Sequence, residues 1–356
     1  MIAGLVLLVI GAEFLVKGAS KIAAILSISP LIIGLTIVAY GTSAPEMSVS
    51  IMSTFSSQGD IAVGNVIGSN ICNILLVLGL SSVVAPLVVT KQIIRSDVPI
   101  MIGVSLLLLV FSWDGQLSRV DGIILFIGGL LYTLSLIYQS SKQGAEQDEF
   151  AQEYGFSGAV TPGLWIKNII FVIGGSILLV LGSRFLVQSA VEIAKSFGVS
   201  ELLIGLTIVA FGTSLPELAT SVVASFRGER DIAVGNVLGS NIFNILAVLG
   251  VAGTLSPNGI NVSQTVIDFD MLVAIAVAFA CLPIFYSGKR IDRTEGLLFL
   301  FYYLAYNGYL VLNAIKYPHL SLYTSIILYV ALPLTIIFLI IAAILEKRAE
   351  KRKRIG

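Results

Sequence analysis

The stretch "GLTIVAYGTSAPE" (34–46) returns as "GLTIVAFGTSLPE" (205–217), identical at 11 of 13 positions. Each copy ends an apolar run with a proline and a glutamate side by side. The same offset of 171 residues aligns "DIAVGNVIGSNICNILLVLG" (60–79) with "DIAVGNVLGSNIFNILAVLG" (231–250), identical at 17 of 20 positions, and sets Asp97 against Asp268. After a gap of three, "RVDG" (119–122) meets "RTEG" (293–296). The chain is an internal duplication.

What surrounds these blocks is lipid-compatible. Of 356 residues, 56% are hydrophobic and only 12% charged, with mean hydropathy +0.98, whereas soluble domains are about a quarter charged. Apolar runs of membrane-spanning length fall at roughly 2–19, 30–55, 62–85, 98–113, 120–139, 165–188, 202–226, 233–254, 267–286, 295–315 and 321–345. The expected fold is therefore an all-α polytopic membrane protein. The first repeat occupies 1–139 and the second 165–316, five spans in each. An odd number of crossings brings the second copy in from the opposite face, so the repeats are expected to be inverted about a twofold axis in the membrane plane.

The polar, acidic segment 140–164 reads as a cytoplasmic linker, 317–345 as an additional eleventh span, and 346–356 as a tail containing "EKRAEKRKR" (346–354). By the positive-inside tendency that basic tail is cytoplasmic, which puts the N-terminus outside. The start "MIAGLVLLVIGAEFLV" has no basic n-region and runs into the first span, so it reads as helix one rather than a cleaved signal.

Several function classes drop out. Cys72 and Cys281 both lie in spans and read as small packing residues. The single histidine, His319, is in a short loop. No HExxH, Walker A loop or GxSxG elbow occurs. An enzyme, a resident cofactor, a nucleic-acid partner and an obligate protein partner are not expected. If energy drives this protein, an ion gradient supplies it.

Proline beside glutamate has a physical reading. Pro45 lacks an N–H, so the Gly41 carbonyl loses its helical donor and span two breaks; Pro216 does the same in span seven. Inside a membrane such a break is tolerated where it lines a cavity or is buried in protein. The carbonyls of Ala39 to Thr42 and of Ala210 to Thr213 become candidate cation ligands. Glu46 and Glu217 then open the second half-helices, where the positive dipole end favours a carboxylate. An acidic side chain at mid-bilayer costs about 2.5–3.5 kcal/mol on insertion scales and marks a functional site by default.

Spans three and eight carry Asn65, Ser69 and Asn73, and Asn236, Ser240 and Asn244, at i, i+4 and i+8 on one helix face. Gly64 with Gly68, and Gly235 with Gly239, form GxxxG pairs that permit close backbone approach. Two broken and two polar-striped helices converge on one pocket. Its donors are oxygens: the two glutamates, the hydroxyls of Ser43, Ser69, Ser214 and Ser240, the amides of Asn73 and Asn244, and the carbonyls of Thr42 and Thr213. Oxygen-only sites suit hard cations. Two bidentate carboxylates and two carbonyls reach the lower end of the about 6–8 oxygens that calcium takes.

With its duplicated GTSxPE and GNVxGSNIxNI blocks, the sequence resembles the sodium/calcium exchangers of the calcium/cation antiporter superfamily, prokaryotic or archaeal in type given the short linker. The resemblance covers nearly the whole ten-helix core. It implies exchange of calcium against sodium by alternating access. The implied ligand positions are Ala39, Thr42, Ser43, Glu46, Ser69 and Asn73, with Ala210, Thr213, Ser214, Glu217, Ser240 and Asn244. Some prokaryotic relatives and the potassium-dependent branch have Asp where this chain has Asn244. Asn244 makes the pocket symmetric and argues against potassium dependence.

Competing readings remain open on sequence alone. A proton-coupled cation antiporter would use the same glutamates. A channel would use them as a constriction, although channels usually build filters from oligomeric rings. A buried structural carboxylate is the bland reading of either glutamate taken singly. Helix packing is the bland reading of Ser69 and Ser240, and packing or support that of Asn65, Asn70, Asn236 and Asn241. Glu13, Lys17 and Arg184 read as residues snorkelling to the interface. Spans one and six are the expected gate.

Overall fold

The computed structural model describes residues 1–26, 28–56, 58–142, 161–199, 201–286 and 288–353. Most of the 140–164 linker lies outside the described residues. Among the described residues thirteen helical segments follow one another: α1 (Ile2–Leu26), α2 (Pro30–Thr42), α3 (Ala44–Phe55), α4 (Gly59–Val84), α5 (Ile93–Phe111), α6 (Arg119–Lys142), α7 (Pro162–Ser196), α8 (201–212), α9 (Leu215–Phe226), α10 (Arg230–Leu255), α11 (Val266–Tyr286), α12 (Arg293–Ala314) and α13 (320–353). Among the described residues nine are long and apolar enough to cross a membrane, and α2 and α9 are shorter apolar helices. The chain is an integral membrane protein.

The breaks fall where the prolines put them. Span two divides at Ser43, which carries φ −80° and ψ 10° between α2 and α3. Span seven divides at Ser214, with φ −84° and ψ 4°, between α8 and α9. Both glutamates occupy the first turn of the helix after the break. Matching π-helical turns appear in both copies, at Gly34–Val38 and Gly205–Val209, and at Asn73–Leu78 and Asn244–Leu249. Such insertions widen a helix locally and recur at functional sites. The second pair begins at the inner asparagine of each polar stripe.

Two helices run longer than the sequence indicates. α1 has 25 residues and α7 has 35, and they pack side by side through a run of small residues. A methyl group on Gly4 would lie 2.9 Å from the Gly182 carbonyl, on Gly11 2.9 Å from that of Gly175, and on Gly18 2.8 Å from that of Asn168. The rising and falling numbers make the pair antiparallel. The seven-residue spacing keeps every contact on one face. Glu13 of α1 does not simply snorkel: it takes an ion pair from Arg227, just past α9, at 2.5 Å.

Two short ladders tie the copies together at their loops. β1 (Leu87–Val88) pairs antiparallel with β4 (Arg290–Ile291), and β2 (Gln116–Leu117) with β3 (Ile260–Asn261). The sequence offset of Asp97 onto Asp268 needs correcting. Tyr132 donates to Asp97 at 3.3 Å and Tyr306 to Asp270 at 2.7 Å, so the counterpart of Asp97 is Asp270, two residues further on. The insertion that shifts the register falls in the loop before α11. At the C-terminus the helix continues through Lys353, so most of the basic tail extends α13.

The glycine seam gives a stability test within two adjacent residues. Gly175→Ala places a methyl 2.6 Å from the Leu15 nitrogen, whereas at Gly174 nothing lies within 4 Å. In thermal unfolding of detergent-purified protein, Gly175→Ala should cost about 1–3 kcal/mol by overpacking. Gly174→Ala should be neutral or stabilise by up to about 1 kcal/mol through helix propensity. Equal effects would contradict the close-packed seam.

Candidate cation site

Glu46 and Glu217 are both wholly buried, at 0% exposure. Each has one oxygen hydrogen-bonded and one free. Ser69 donates to Glu46 Oε1 at 3.3 Å, and Ser43 donates across the repeats to Glu217 Oε1 at 3.1 Å. Among the described residues neither Glu46 Oε2 nor Glu217 Oε2 has a hydrogen-bond partner. A buried charge without a partner is expensive, so these two oxygens call for a cation or a proton.

The inner asparagines complete the set. Asn73 donates its amide N–H to Asn241 Oδ1 at 3.1 Å, and Asn244 donates to Asn70 Oδ1 at 3.0 Å. With their donors engaged, Asn73 Oδ1 and Asn244 Oδ1 are left buried and, among the described residues, unpartnered, as is the Ser214 hydroxyl. Asn70 and Asn241 in turn clasp each other's carbonyls, at 3.1 and 3.3 Å. The outer asparagines support the glutamates: Asn65 donates to the Glu46 carbonyl and to Ser50, and Asn236 to the Glu217 carbonyl and to Ser221. The four asparagines read from sequence as packing or support hold the oxygen donors of the pocket in place. Among the described residues no three His, Cys, Asp or Glu side chains form a cluster, so any cation here would rest largely on neutral oxygens, as hard ions permit.

The remaining sequence candidates divide. Thr42 donates to Asn236 Oδ1 at 3.0 Å and lies 3.5 Å from the Ser240 hydroxyl. Thr213 donates to Asn65 Oδ1 at 3.3 Å and lies 3.4 Å from that of Ser69. These contacts put Thr42, Thr213, Ser69 and Ser240 in the same pocket. The Ala39 carbonyl already accepts from the Ser43 N–H at 3.0 Å, and the Thr42 hydroxyl lies 3.3 Å from it. Ala210 begins the last short turn of α8. There Ser214 closes back on Phe211 at 3.2 Å, one residue tighter than in the first copy.

Ser183 of α7 is a residue the sequence reading missed. It donates at 2.6 Å to the Gly212 carbonyl, the one that Pro216 deprives of its helical donor. The only sequence signal was a hydroxyl in an apolar span.

The two halves are not equally closed. A methyl on Gly235 would meet the Leu31 carbonyl at 2.7 Å, and on Gly239 that of Leu35 at 2.7 Å, so α10 packs tightly on α2. Around Gly64 and Gly68 no such contact lies within 4 Å. The expected GxxxG approach therefore holds for the second pair and not for the first. Accordingly Gly64, Asn65, Gly68 and Thr213 are half-buried, while Gly235, Asn236, Gly239 and Thr42 are buried.

Fold and site together define a helical membrane transporter. The chain belongs to the sodium/calcium exchanger family, whose model, described as "Sodium/calcium exchanger protein", matches residues 1–140 and 167–312. It is 40% identical over 288 residues to the inner membrane protein YrbG of Escherichia coli, covering 79% of this chain and 87% of that one. It is 30% identical over 337 residues to the sodium/calcium exchanger MaX1 of Methanosarcina acetivorans, covering 86% and 96%. A solved structure of the sodium-calcium exchanger NCX_Mj superposes with a TM-score of 0.72 at 31% identity, covering 85% of this chain and 95% of that one. This is a family of cation antiporters rather than of enzymes.

The asparagine clasp predicts a remote effect on ion binding. Asn70→Ala removes the oxygen that holds the Asn244 amide and should weaken calcium binding by about 10–100-fold, as loss of an orienting partner commonly does. Calcium-45 binding to purified protein reads this directly. Unchanged affinity would mean that Asn244 is not held for an ion.

Proposed function

We propose that the protein exchanges calcium for sodium across a prokaryotic cell membrane by alternating access, with Glu46 and Glu217 binding the two ions in turn. The observation that carries this reading is the set of four buried, unpartnered oxygens: Glu46 Oε2, Glu217 Oε2, Asn73 Oδ1 and Asn244 Oδ1. Two carboxylates balance one divalent ion. The Thr42, Thr213, Ser43, Ser214, Ser69 and Ser240 oxygens offer further positions for sodium. Because the ions compete for the same donors, one must leave before the other binds, and a carrier that crosses only when loaded then exchanges them.

The chain then has eleven crossings, counting α2 with α3 and α8 with α9 as one span each. The two five-span repeats are inverted. The strand ladders support this count. Six crossings separate the loop holding β1 from that holding β4, and four separate β2 from β3. Both numbers are even, so each pair shares a face. The basic C-terminal end lies in the cytoplasm and the N-terminus outside. The half-open geometry around Gly64 and Gly68 is then access from the outer side, and the Gly235–Gly239 seam closes the inner one. α1 and α7 slide as a unit to exchange these states. The Ser183 bond to the Gly212 carbonyl supports a direct link from that unit to the break beside Glu217.

The reading is tested by calcium-45 uptake into proteoliposomes loaded with sodium, with choline, or with an acid interior. Uptake should require internal sodium and fall to background in Glu46→Gln and in Glu217→Gln. Uptake driven by internal acid without sodium would make the protein a proton-coupled antiporter using the same site. Uptake indifferent to any counter-ion would make it a channel.

A further inference from the structure

Away from the cation site, at the edge of the exchanger core, the structure holds a cavity of about 390 Å³ between α11, α12 and α13, within the size range of ligand pockets. α13 lies beyond residue 312, where the family match ends, so one wall of the cavity comes from outside the matched region and the others from within it. None of the residues from Leu320 to Ala331 is buried, yet α13 is held in place. Tyr323 donates to the Ala305 carbonyl at 2.8 Å, and the Tyr302 and Thr335 hydroxyls meet at 2.8 Å. These two bonds pin α13 to α12 and engage the Tyr302, Tyr323 and Thr335 hydroxyls, while apolar side chains such as Val277, Ile327 and Leu339 form most of the wall.

The shape and setting name the occupant. Along α13 the lining runs from Tyr323 to Leu339, about 24 Å at the helical rise and more than the ~15 Å of one leaflet's hydrocarbon. The cavity opens among membrane-spanning helices, so what enters it comes from lipid. α13 continues without interruption to Lys353, and the sequence there is "EKRAEKRKR" (346–354). Lys347 follows Leu339 by about 12 Å of helix. Basic clusters at the end of a span attract anionic headgroups.

We infer that the cavity between α11, α12 and α13 binds the acyl chain of an anionic phospholipid whose headgroup lies at the basic end of α13. Its deep wall includes Leu75, inside the π-helical turn that begins at Asn73. Occupancy therefore reaches the helix that carries a pocket oxygen. The inference is independent of which ions are exchanged.

The full chain, extracted from vesicles of equal phosphatidylcholine and phosphatidylglycerol, is examined by native mass spectrometry for retained lipid. Wild type should keep phosphatidylglycerol in preference. Replacing Lys347, Arg348, Lys351 and Arg352 with Gln should reduce that preference by about five-fold per charge removed while leaving the bundle intact. Filling the cavity with Ala276→Phe and Ala280→Phe should abolish retention of either lipid. Equal retention of the two lipids by wild type would overturn the anionic headgroup. Undiminished retention in the filled variant, with the tail intact, would overturn the cavity as the seat. A lipid-free dimer that the filled variant loses would assign the cavity to a second copy of the chain.

Discussion

Two carboxylate oxygens sealed inside a membrane protein without a donor are the constraint on which the rest of this structure depends. An ion brought from water into a low-dielectric interior costs several kcal/mol even after relaxation. Glu46 and Glu217 are wholly buried, and a partner of opposite charge is the ordinary compensation. The prolines place each glutamate at the first turn of a half-helix, where the exposed N–H groups favour negative charge. The asparagine clasp turns amide oxygens towards the same pocket by occupying the amide donors. The two inner asparagines present their acceptors inward and use their donors on Asn70 and Asn241.

Duplication explains why one chain supplies a complete pocket. Ser43 of the first copy reaches Glu217 of the second, and Asn70 and Asn241 hold one another's carbonyls. Neither half can form the pocket alone. Yet near-identical sequences do not pack identically. Gly235 and Gly239 touch α2 closely, while Gly64 and Gly68 face open space. The copies resemble each other in composition and differ in how closely they pack. The long α1–α7 pair is joined through glycines at regular spacing, and Ser183 links it to the break beside Glu217.

Much of this is legible in the sequence. The broken helices, both glutamates and both polar stripes followed from proline chemistry, period and repetition. What stayed hidden depends on contacts between distant segments. Ser183 reads as one more small residue in an apolar run, and only its place beside Gly212 gives it a role. A constant offset paired Asp97 with Asp268, because a loop insertion leaves no trace in composition; the tyrosine bonds identify Asp270. Periodicity gave both GxxxG pairs the same role, since it carries no information about which side of a symmetric pocket is closed. The basic tail read as a separate segment because charge ends a hydrophobic run without ending a helix.

The central claim is that both repeats build a single ion site. Equilibrium dialysis of the purified chain against calcium-45 tests it directly, with sodium then added as competitor. One calcium per chain, displaced by sodium and lost when either Glu46 or Glu217 alone is changed to Gln, is the predicted result. Two calciums per chain, with one retained after each single change, would mean that each repeat binds its own ion, and the shared site would be wrong.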